Sequence, residues 1–137
     1  MKPEERAALS AVRYKRALEC MDTAAENMKM GDYRAAANRV YYAVFHAMRA
    51  VLALDEVDMS KHSGIIAEFR KRYLKTDIFD RRFSGIITQN FQVRNECDYD
   101  DFYLIVKGDI EQEIEETEDF LRTIAQYLSE HNVIIQS

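Results

Sequence analysis

Residues 31–54, GDYRAAANRVYYAVFHAMRAVLAL, constrain the fold more than any other part of the sequence. Apolar residues recur there at every third and fourth position, and further alanines and a phenylalanine widen the apolar stripe well beyond one face. A helix that is apolar on most sides is stable only where other helices cover it. Gly31 can end a preceding helix in the left-handed conformation, and Asp32 can cap the next one. The stretch therefore predicts a long helix near the centre of a helical bundle.

One strip of this helix stays polar. It consists of Arg39, Tyr42, His46 and Arg49, which are spaced three, four and three residues apart and so share one helical face. A polar strip on an otherwise apolar helix is either a seam facing solvent or the wall of a site. The spacing alone leaves both possibilities open.

The composition favours an all-α protein of one domain. The chain has 137 residues but only four glycines and one proline, whereas residues with high helix propensity are abundant. A membrane-spanning helix would need roughly 18 consecutive apolar residues, and no such run is present. The charged start resembles no signal peptide, and Cys20 and Cys97 form no CxxC pair. We therefore expect reduced thiols, a cytoplasmic location and a single domain over residues 1–137, with a core at about 5–130 and a frayed tail at 131–137.

The net charge of −5 is unevenly distributed. Residues 98–137 hold about nine more acidic than basic residues, whereas residues 1–97 have a small positive balance. An acidic total lowers nonspecific affinity for nucleic acids but leaves room for a local basic surface. One basic cluster ends the third predicted helix. It is explained either by the helix dipole, which favours cations there, or by an RNA-facing patch extended by Arg81 and Arg82.

Hydrophobic periodicity predicts an up-and-down bundle of four long helices, with shorter pieces before the last. The first helix covers residues 4–30, and the third ends near Lys75 after a cap at Asp58 or Ser60. The fourth runs from about 78 to 97, with Asp77 as its cap, and Gly85 within it indicates close approach by another helix. An apolar connector at 99–106 precedes the last helix, 109–130, which begins with a capping box at Asp109 and has an acidic outer face that includes Glu113.

Sequence signatures of metal-dependent or nucleophilic enzymes are missing, and neither a metal site nor a cofactor is expected. One polar constellation remains at the end of the fourth helix: Arg94, Asn95 and Tyr99. Arginine and asparagine there can hold a phosphate, and Tyr99 can face the same cleft. The alternative is a structural network in which Arg94 pairs with Asp98, four residues on, and Tyr99 fills the core.

Four segments together follow the pattern of a known family: GDYRAAANRVYYAVFHA, the pair Lys61-His62, RNECDYDDFY, and a closing acidic helix that ends in FLRTIAQYL. Over roughly residues 5–130 the chain resembles small prokaryotic HEPN-domain proteins of the branch associated with toxin–antitoxin modules. The resemblance implies a four-helix bundle that forms a homodimer. It also implies a motif of Arg, a polar residue, three free positions and His, used by metal-independent ribonucleases.

Mapped onto this sequence, Arg94 takes the Arg position, Asn95 the polar position, and Tyr99 the position of the His. A tyrosine, with a pKa of about 10, is a poor general base at pH 7. His46 or His62 can substitute from elsewhere in the chain, but nothing in the sequence requires it. The resemblance therefore fits binding of nucleotide or RNA at least as well as ribonuclease activity, with Arg39, Tyr42 and His46 as further candidate ligand-binding residues. A purely structural interaction module is the third alternative.

The resemblance also implies a partner. Family members are often encoded beside a minimal nucleotidyltransferase, which in some pairs attaches AMP to a tyrosine near the motif. Tyr99 and Tyr103 are the corresponding candidates for this modification.

Overall fold

The computed structural model describes residues 1–135, which contain five α-helices. Their bounds are α1 Pro3–Lys29, α2 Tyr33–Ala53, α3 His62–Phe69, α4 Arg82–Tyr99 and α5 Lys107–Glu130. A π-helical turn, Arg70–Leu74, directly continues α3. The all-α prediction with four long helices and one short addition is confirmed. Within the described range, none of the helices combines the length and apolarity that crossing a membrane requires.

The α1–α2 hairpin follows from its local sequence. Gly31 adopts a φ of 75°, a conformation that glycine reaches without steric cost. The side chain of Asp32 then accepts a hydrogen bond from the amide of Ala35 at 3.1 Å, as an N-cap does. The helices run antiparallel, since Arg6 near the start of α1 reaches the carbonyl of Leu54 at the end of α2. α1, α3, α4 and α5 all pack against α2, whose apolar stripe is buried.

Several helix ends differ from their predictions. α3 begins after Lys61 without a side-chain cap from within residues 1–135, and Asp58 pairs instead with Arg13 and Arg49. α4 begins only at Arg82, whose amide hydrogen-bonds to the carboxylate of Asp80 at 2.9 Å. Asp77, the predicted cap, lies outside the helix with a φ of 60°. At its other end α4 continues to Tyr99, two residues beyond its predicted end.

The last helix begins two residues earlier than predicted, at Lys107, and Asp109 forms no capping box with Gln112, whose amide bonds to Glu116 instead. The connector before it packs only in part. Tyr103 and Ile105 lie against a small cluster of buried side chains, Ala36, Ala37, Cys97 and Ile110. Phe102 and Leu104 alternate with them and are 92% and 87% exposed. This connector is fixed by Arg34, which donates to the carbonyls of Cys97 and Tyr103.

Part of the tail that the sequence predicts to fray contacts the bundle. Val133 is 3% exposed, and its amide donates to the carbonyl of Leu128 at 3.0 Å. Ile135 packs against the main core. Two apolar side chains in residues 131–135 thus pack beside the bundle, and the frayed tail stays a prediction. For residues 136 and 137 it lies outside the described part of the chain.

The position of Glu113 differs from its prediction more than that of any other residue discussed. It was placed on the acidic outer face of α5, but its side chain is 1% exposed, and neither carboxylate oxygen has a hydrogen-bond partner within residues 1–135. Burial, and then the charges of Glu116 and Asp109, raise the pKa of this carboxyl to about 8. A carboxyl group that is buried without a partner keeps its proton at neutral pH.

We expect Gly85→Ala to stabilise the protein by about 0.5–1 kcal/mol. The close helix contact predicted at Gly85 is wrong, since a methyl group there would meet nothing within 4 Å. Because Gly85 lies inside α4 with a negative φ, alanine gains helix propensity without strain. Urea unfolding of the two proteins measures the difference, and a destabilised variant would contradict it. Gly31→Ala is the matched opposite case, because φ there is positive and the change should destabilise.

Candidate functional site

Arg94 on α4 lies between charged and aromatic groups. Its Nε is 2.9 Å from Oδ2 of Asp98, although the N–H does not point at that oxygen well enough to form a hydrogen bond. Its Nη2 donates to the hydroxyl of Tyr42 at 3.4 Å. The guanidinium carbon lies 5.3 Å from the ring centroid of Tyr41 and 5.8 Å from that of Tyr42, within the range of cation–π attraction. The aromatic rings and Asp98 thus fix the position of this positive charge.

The polar strip of α2 reaches the same place. The guanidinium of Arg39 lies 5.1 Å from the Tyr42 ring centroid, and the rings of Tyr42 and His46 are 6.1 Å apart. One turn further on, Arg49 lies over Phe45 and pairs with Asp58. Arg39, Tyr42, His46 and Arg94, all predicted from sequence, therefore form one continuous surface in a single protomer.

Asn95 and Tyr99 lie elsewhere on α4. Each residue of an α-helix is rotated by about 100° from the one before, so Asn95 and Tyr99 share a face that is turned well away from Arg94. Both are exposed, and Tyr99 is 74% exposed. Within one chain, Tyr99 therefore does not face the same cleft as Arg94, contrary to the expectation from the sequence. The alternative of Tyr99 filling the core is also wrong, whereas the predicted pairing of Arg94 with Asp98 is present.

The inner layer of the site contains Tyr41, which the sequence did not indicate, and His62, which the sequence left open as a substitute for the motif histidine. The hydroxyl of Tyr41 is 2.9 Å from Nδ1 of His62, and the His62 ring lies 4.1 Å from that of Phe45. Burial, with the charges of Arg94 and Arg49, lowers the pKa of His62. Burial raises the pKa of Tyr41 to about 12. His62 is therefore neutral at pH 7, close to Arg94, and able to exchange a proton through its ring nitrogens.

An open groove of about 470 Å³ borders these rings. It is lined by Phe45, Arg49, Asp58, Met59, Ser60 and His62. The groove gives solutes access to His62 from the side of the α2–α3 loop. Among residues 1–135, His, Cys, Asp and Glu side chains form no group of three or more that could hold a metal ion.

The pKa of His46 reflects its burial and the positive charges that act on it. Burial lowers its pKa to about 4, and the charges of Arg49, Arg16, Arg39 and Arg13 act in the same direction. Its Nδ1 is buried without a hydrogen-bond partner in the described chain. His46 is thus neutral, and the surface around it is strongly positive.

Most arginines in and after the basic end of the third predicted helix have structural partners. Arg70 bonds to Ser84 and Thr88 of α4, and Arg72 pairs with Glu68 and Asp55. Arg81 pairs with Asp77, and Arg82 pairs with Asp80 and Asp119. These pairings favour a structural explanation over an RNA-facing patch there.

Comparison with known proteins found a family model and several relatives that match this chain. The family model described as the HEPN domain matches residues 10–129. A UPF0332 protein from Thermotoga maritima is 29% identical over 116 residues, which cover 85% of this chain and 88% of that protein. A candidate toxin from Methanocaldococcus jannaschii is 30% identical over 131 residues, covering 90% of this chain and 89% of its own. A second candidate toxin from the same organism is 33% identical over 67 residues, about half of each chain.

Proposed function

The chain belongs to the HEPN domain family, and on that premise we propose that it is a toxin-like protein that binds RNA or a nucleotide at Arg94. The site consists of Arg94, Tyr42, Arg39 and His46, with His62 beside them. Naming of relatives as candidate toxins supports a role in a toxin–antitoxin-like module. Two buried free cysteines, Cys20 and Cys97, agree with the cytoplasmic location that we also propose.

The observation that carries this proposal is the position of Arg94. Its side chain is 18% exposed and is held over two tyrosine rings, with a single, poorly aligned carboxylate as counter-charge. A guanidinium held in place in this way can exchange Asp98 for a phosphate, to which it offers two parallel N–H donors. Tyr42 is partly exposed and its hydroxyl accepts a hydrogen bond from Arg94, so a ligand bound at Arg94 can also contact Tyr42.

The direct test is a titration of a labelled single-stranded oligoribonucleotide, followed by fluorescence anisotropy. Thermal shifts with nucleoside mono- and triphosphates, measured in parallel, separate RNA binding from nucleotide binding. If neither class of ligand binds, the chain is an interaction module and this proposal fails.

A specific observation favours metal-independent ribonuclease activity as the second candidate. Tyr99 occupies the family's His position, but His62 is neutral at pH 7 and close enough to Arg94 for that charge to lower its pKa. A neutral histidine can take the proton of a ribose 2′-hydroxyl, while an arginine stabilises the charge that develops on the adjacent phosphate. Cleavage would then depend on His62 in place of the missing motif histidine.

We also propose a homodimer and a minimal nucleotidyltransferase as partners. Four large apolar side chains at the end of α4 and in the connector are exposed: Tyr99, Phe102, Leu104 and Val106. Apolar residues grouped in this way are typical of protein contact surfaces.

Of the two candidate acceptors of AMP, we expect Tyr99 to be modified and Tyr103 to be spared. The Tyr99 side chain is 74% exposed, whereas Tyr103 packs on the small cluster. Burial, followed by the charges of Glu96, Cys97 and Asp109, raises the pKa of Tyr103, which makes its hydroxyl a weaker nucleophile. Incubation with such a nucleotidyltransferase and ATP should add AMP to the wild-type protein and to Tyr103→Phe, but not to Tyr99→Phe. Mass spectrometry that locates AMP on Tyr103 would contradict this.

A further inference from the structure

The surface between α1 and α2 carries a second group of arginines beside the Arg94 site. Two contacts fix the register of these antiparallel helices. Nη1 of Arg39 lies 3.9 Å from Sγ of Cys20, and Nη1 of Arg13 donates to the carbonyl of Arg49 at 3.2 Å. Arg16 lies between Arg13 and Cys20 on α1, and is therefore level with His46 on α2. The effect of Arg16 on the pKa of His46 agrees with this placement.

These arginines have few counter-charges. Arg13 and Arg49 share one carboxylate, that of Asp58. Among residues 1–135, Arg16 and Arg39 take part in no ion pair, and the hydrogen bonds of Arg39 go to the neutral amide of Asn38 and to Cys20. Glu19 follows Arg16 by three residues on α1 but does not pair with it. Four guanidiniums thus act on His46, and within residues 1–135 Asp58 is the one carboxylate that forms ion pairs with any of them.

Like charges held together in this way repel one another, and a bound anion relieves the repulsion. The shape of the group indicates the kind of anion. Arg39 and Arg49 are ten residues apart on α2, which at 1.5 Å per residue is about 15 Å. That length is greater than the width of a single phosphate group. It is long enough to contact successive phosphates of a nucleic acid backbone. Tyr42 and Arg94 border the same track, so a strand along it would pass the proposed ligand site.

We propose that the α1–α2 surface is a second subsite, in which Arg16 and Arg39 bind the phosphodiester backbone of single-stranded RNA whose next nucleotides occupy the Arg94 site. This subsite rests on the proposed function, which it deepens by naming a strand of several nucleotides as the ligand. Arg39 joins the two parts, because it contacts both Cys20 of α1 and the ring of Tyr42.

The test compares single substitutions in the binding of a labelled 12-nucleotide RNA at several salt concentrations. Arg16→Ala and Arg39→Gln should each weaken binding about 3- to 10-fold, and should each reduce the slope of log affinity against log salt by about 0.7. Lys15→Ala is the matched control. It removes the same charge one position earlier on α1, from an exposed side chain on a different face. Binding of a mononucleotide should be unchanged by Arg16→Ala, since the subsite lies beyond the Arg94 site.

Each outcome is decisive. If Lys15→Ala weakens RNA binding as much as Arg16→Ala, the effect is only overall charge and the subsite is refuted. If Arg94→Ala and Arg39→Gln weaken binding whereas Arg16→Ala does not, the subsite is refuted and the proposed function stands. If the wild-type protein binds mononucleotides but gains nothing from a longer strand, the subsite is again refuted. If the wild-type protein binds neither ligand, the proposed function fails and the subsite with it. Circular dichroism of each variant confirms that it is folded.

Discussion

Glu113→Gln is expected to raise the free energy of unfolding by roughly 3–5 kcal/mol at pH 8 and to change it little at pH 4.5. The carboxyl is buried in the bundle, and its oxygens find no partner in the described chain. Burial raises its pKa to about 8, from an ordinary value of 4.5. Each unit of difference in pKa corresponds to about 1.4 kcal/mol, which gives the size of the effect.

The direction follows from the protons bound in each state. The unfolded chain releases the proton of Glu113 near the ordinary pKa, whereas the folded chain keeps it until about pH 8. Between these values the unfolded state binds fewer protons, so raising the pH destabilises the fold. Below the ordinary pKa both states are protonated and the difference disappears. Above pH 8 both are ionised and the difference stays constant. Glutamine has the shape of the protonated glutamic acid side chain but has no proton that titrates in this pH range.

Urea unfolding at pH 4.5, 6, 7 and 8 measures the effect as a difference between wild type and variant, in which the other titrating groups cancel. Glu115→Gln is the matched control, because Glu115 is two residues away on α5 and exposed. It should show almost no pH-dependent difference. If the difference in unfolding free energy for Glu113→Gln is the same at every pH, the carboxyl does not titrate as described. Another interaction then offsets the cost of burying it.

The position of Glu113 could have been read from the sequence. Ile110, Thr117, Phe120 and Ile124 are buried on α5, and Glu113 falls three residues after the first and four before the second. That spacing puts it on the core face. The run of acidic residues around Glu113 favours the outer face, whereas its helical spacing places it on the core face, and the spacing is the correct signal. The α1–α2 hairpin was predicted correctly because glycine, the aspartate cap and the apolar stripe all indicate the same structure.

The site was only partly predictable for a different reason. The face shared by Arg39, Tyr42 and His46 follows from helical spacing, which is local. The contact of Tyr42 with Arg94 spans 52 residues and depends on how α2 and α4 pack. His62 comes from a third element whose own start was predicted wrongly, so nothing local connected it with Tyr41. Tyr99 was grouped with Arg94 by proximity in sequence, although a separation of five residues turns the side chain away.

Arg94→Ala is expected to lower the affinity for single-stranded RNA about 10- to 100-fold, since a charge-assisted hydrogen bond contributes roughly 1.5–3 kcal/mol. The fold should survive, because Arg94 lies at the edge of the bundle and the rings beneath it remain packed. Arg94→Lys should recover part of the affinity, as it keeps the charge but not the two parallel donors. Anisotropy measures the binding and circular dichroism the fold. Unchanged affinity in a folded Arg94→Ala protein would contradict the proposed site.

Asp98→Asn provides the opposite test of the same geometry. If Asp98 competes with a phosphate for Arg94, removing its charge should tighten RNA binding. If the ion pair instead orients Arg94 for binding, the same change should weaken RNA binding.

Incubating RNA with the same proteins in EDTA separates binding from cleavage. Ribonuclease activity predicts cleavage that is lost in both Arg94→Ala and His62→Ala. Binding without cleavage predicts intact RNA throughout, with His62→Ala affecting affinity far less than Arg94→Ala. The position of His62 behind the tyrosine rings makes it the residue on which the two functions differ.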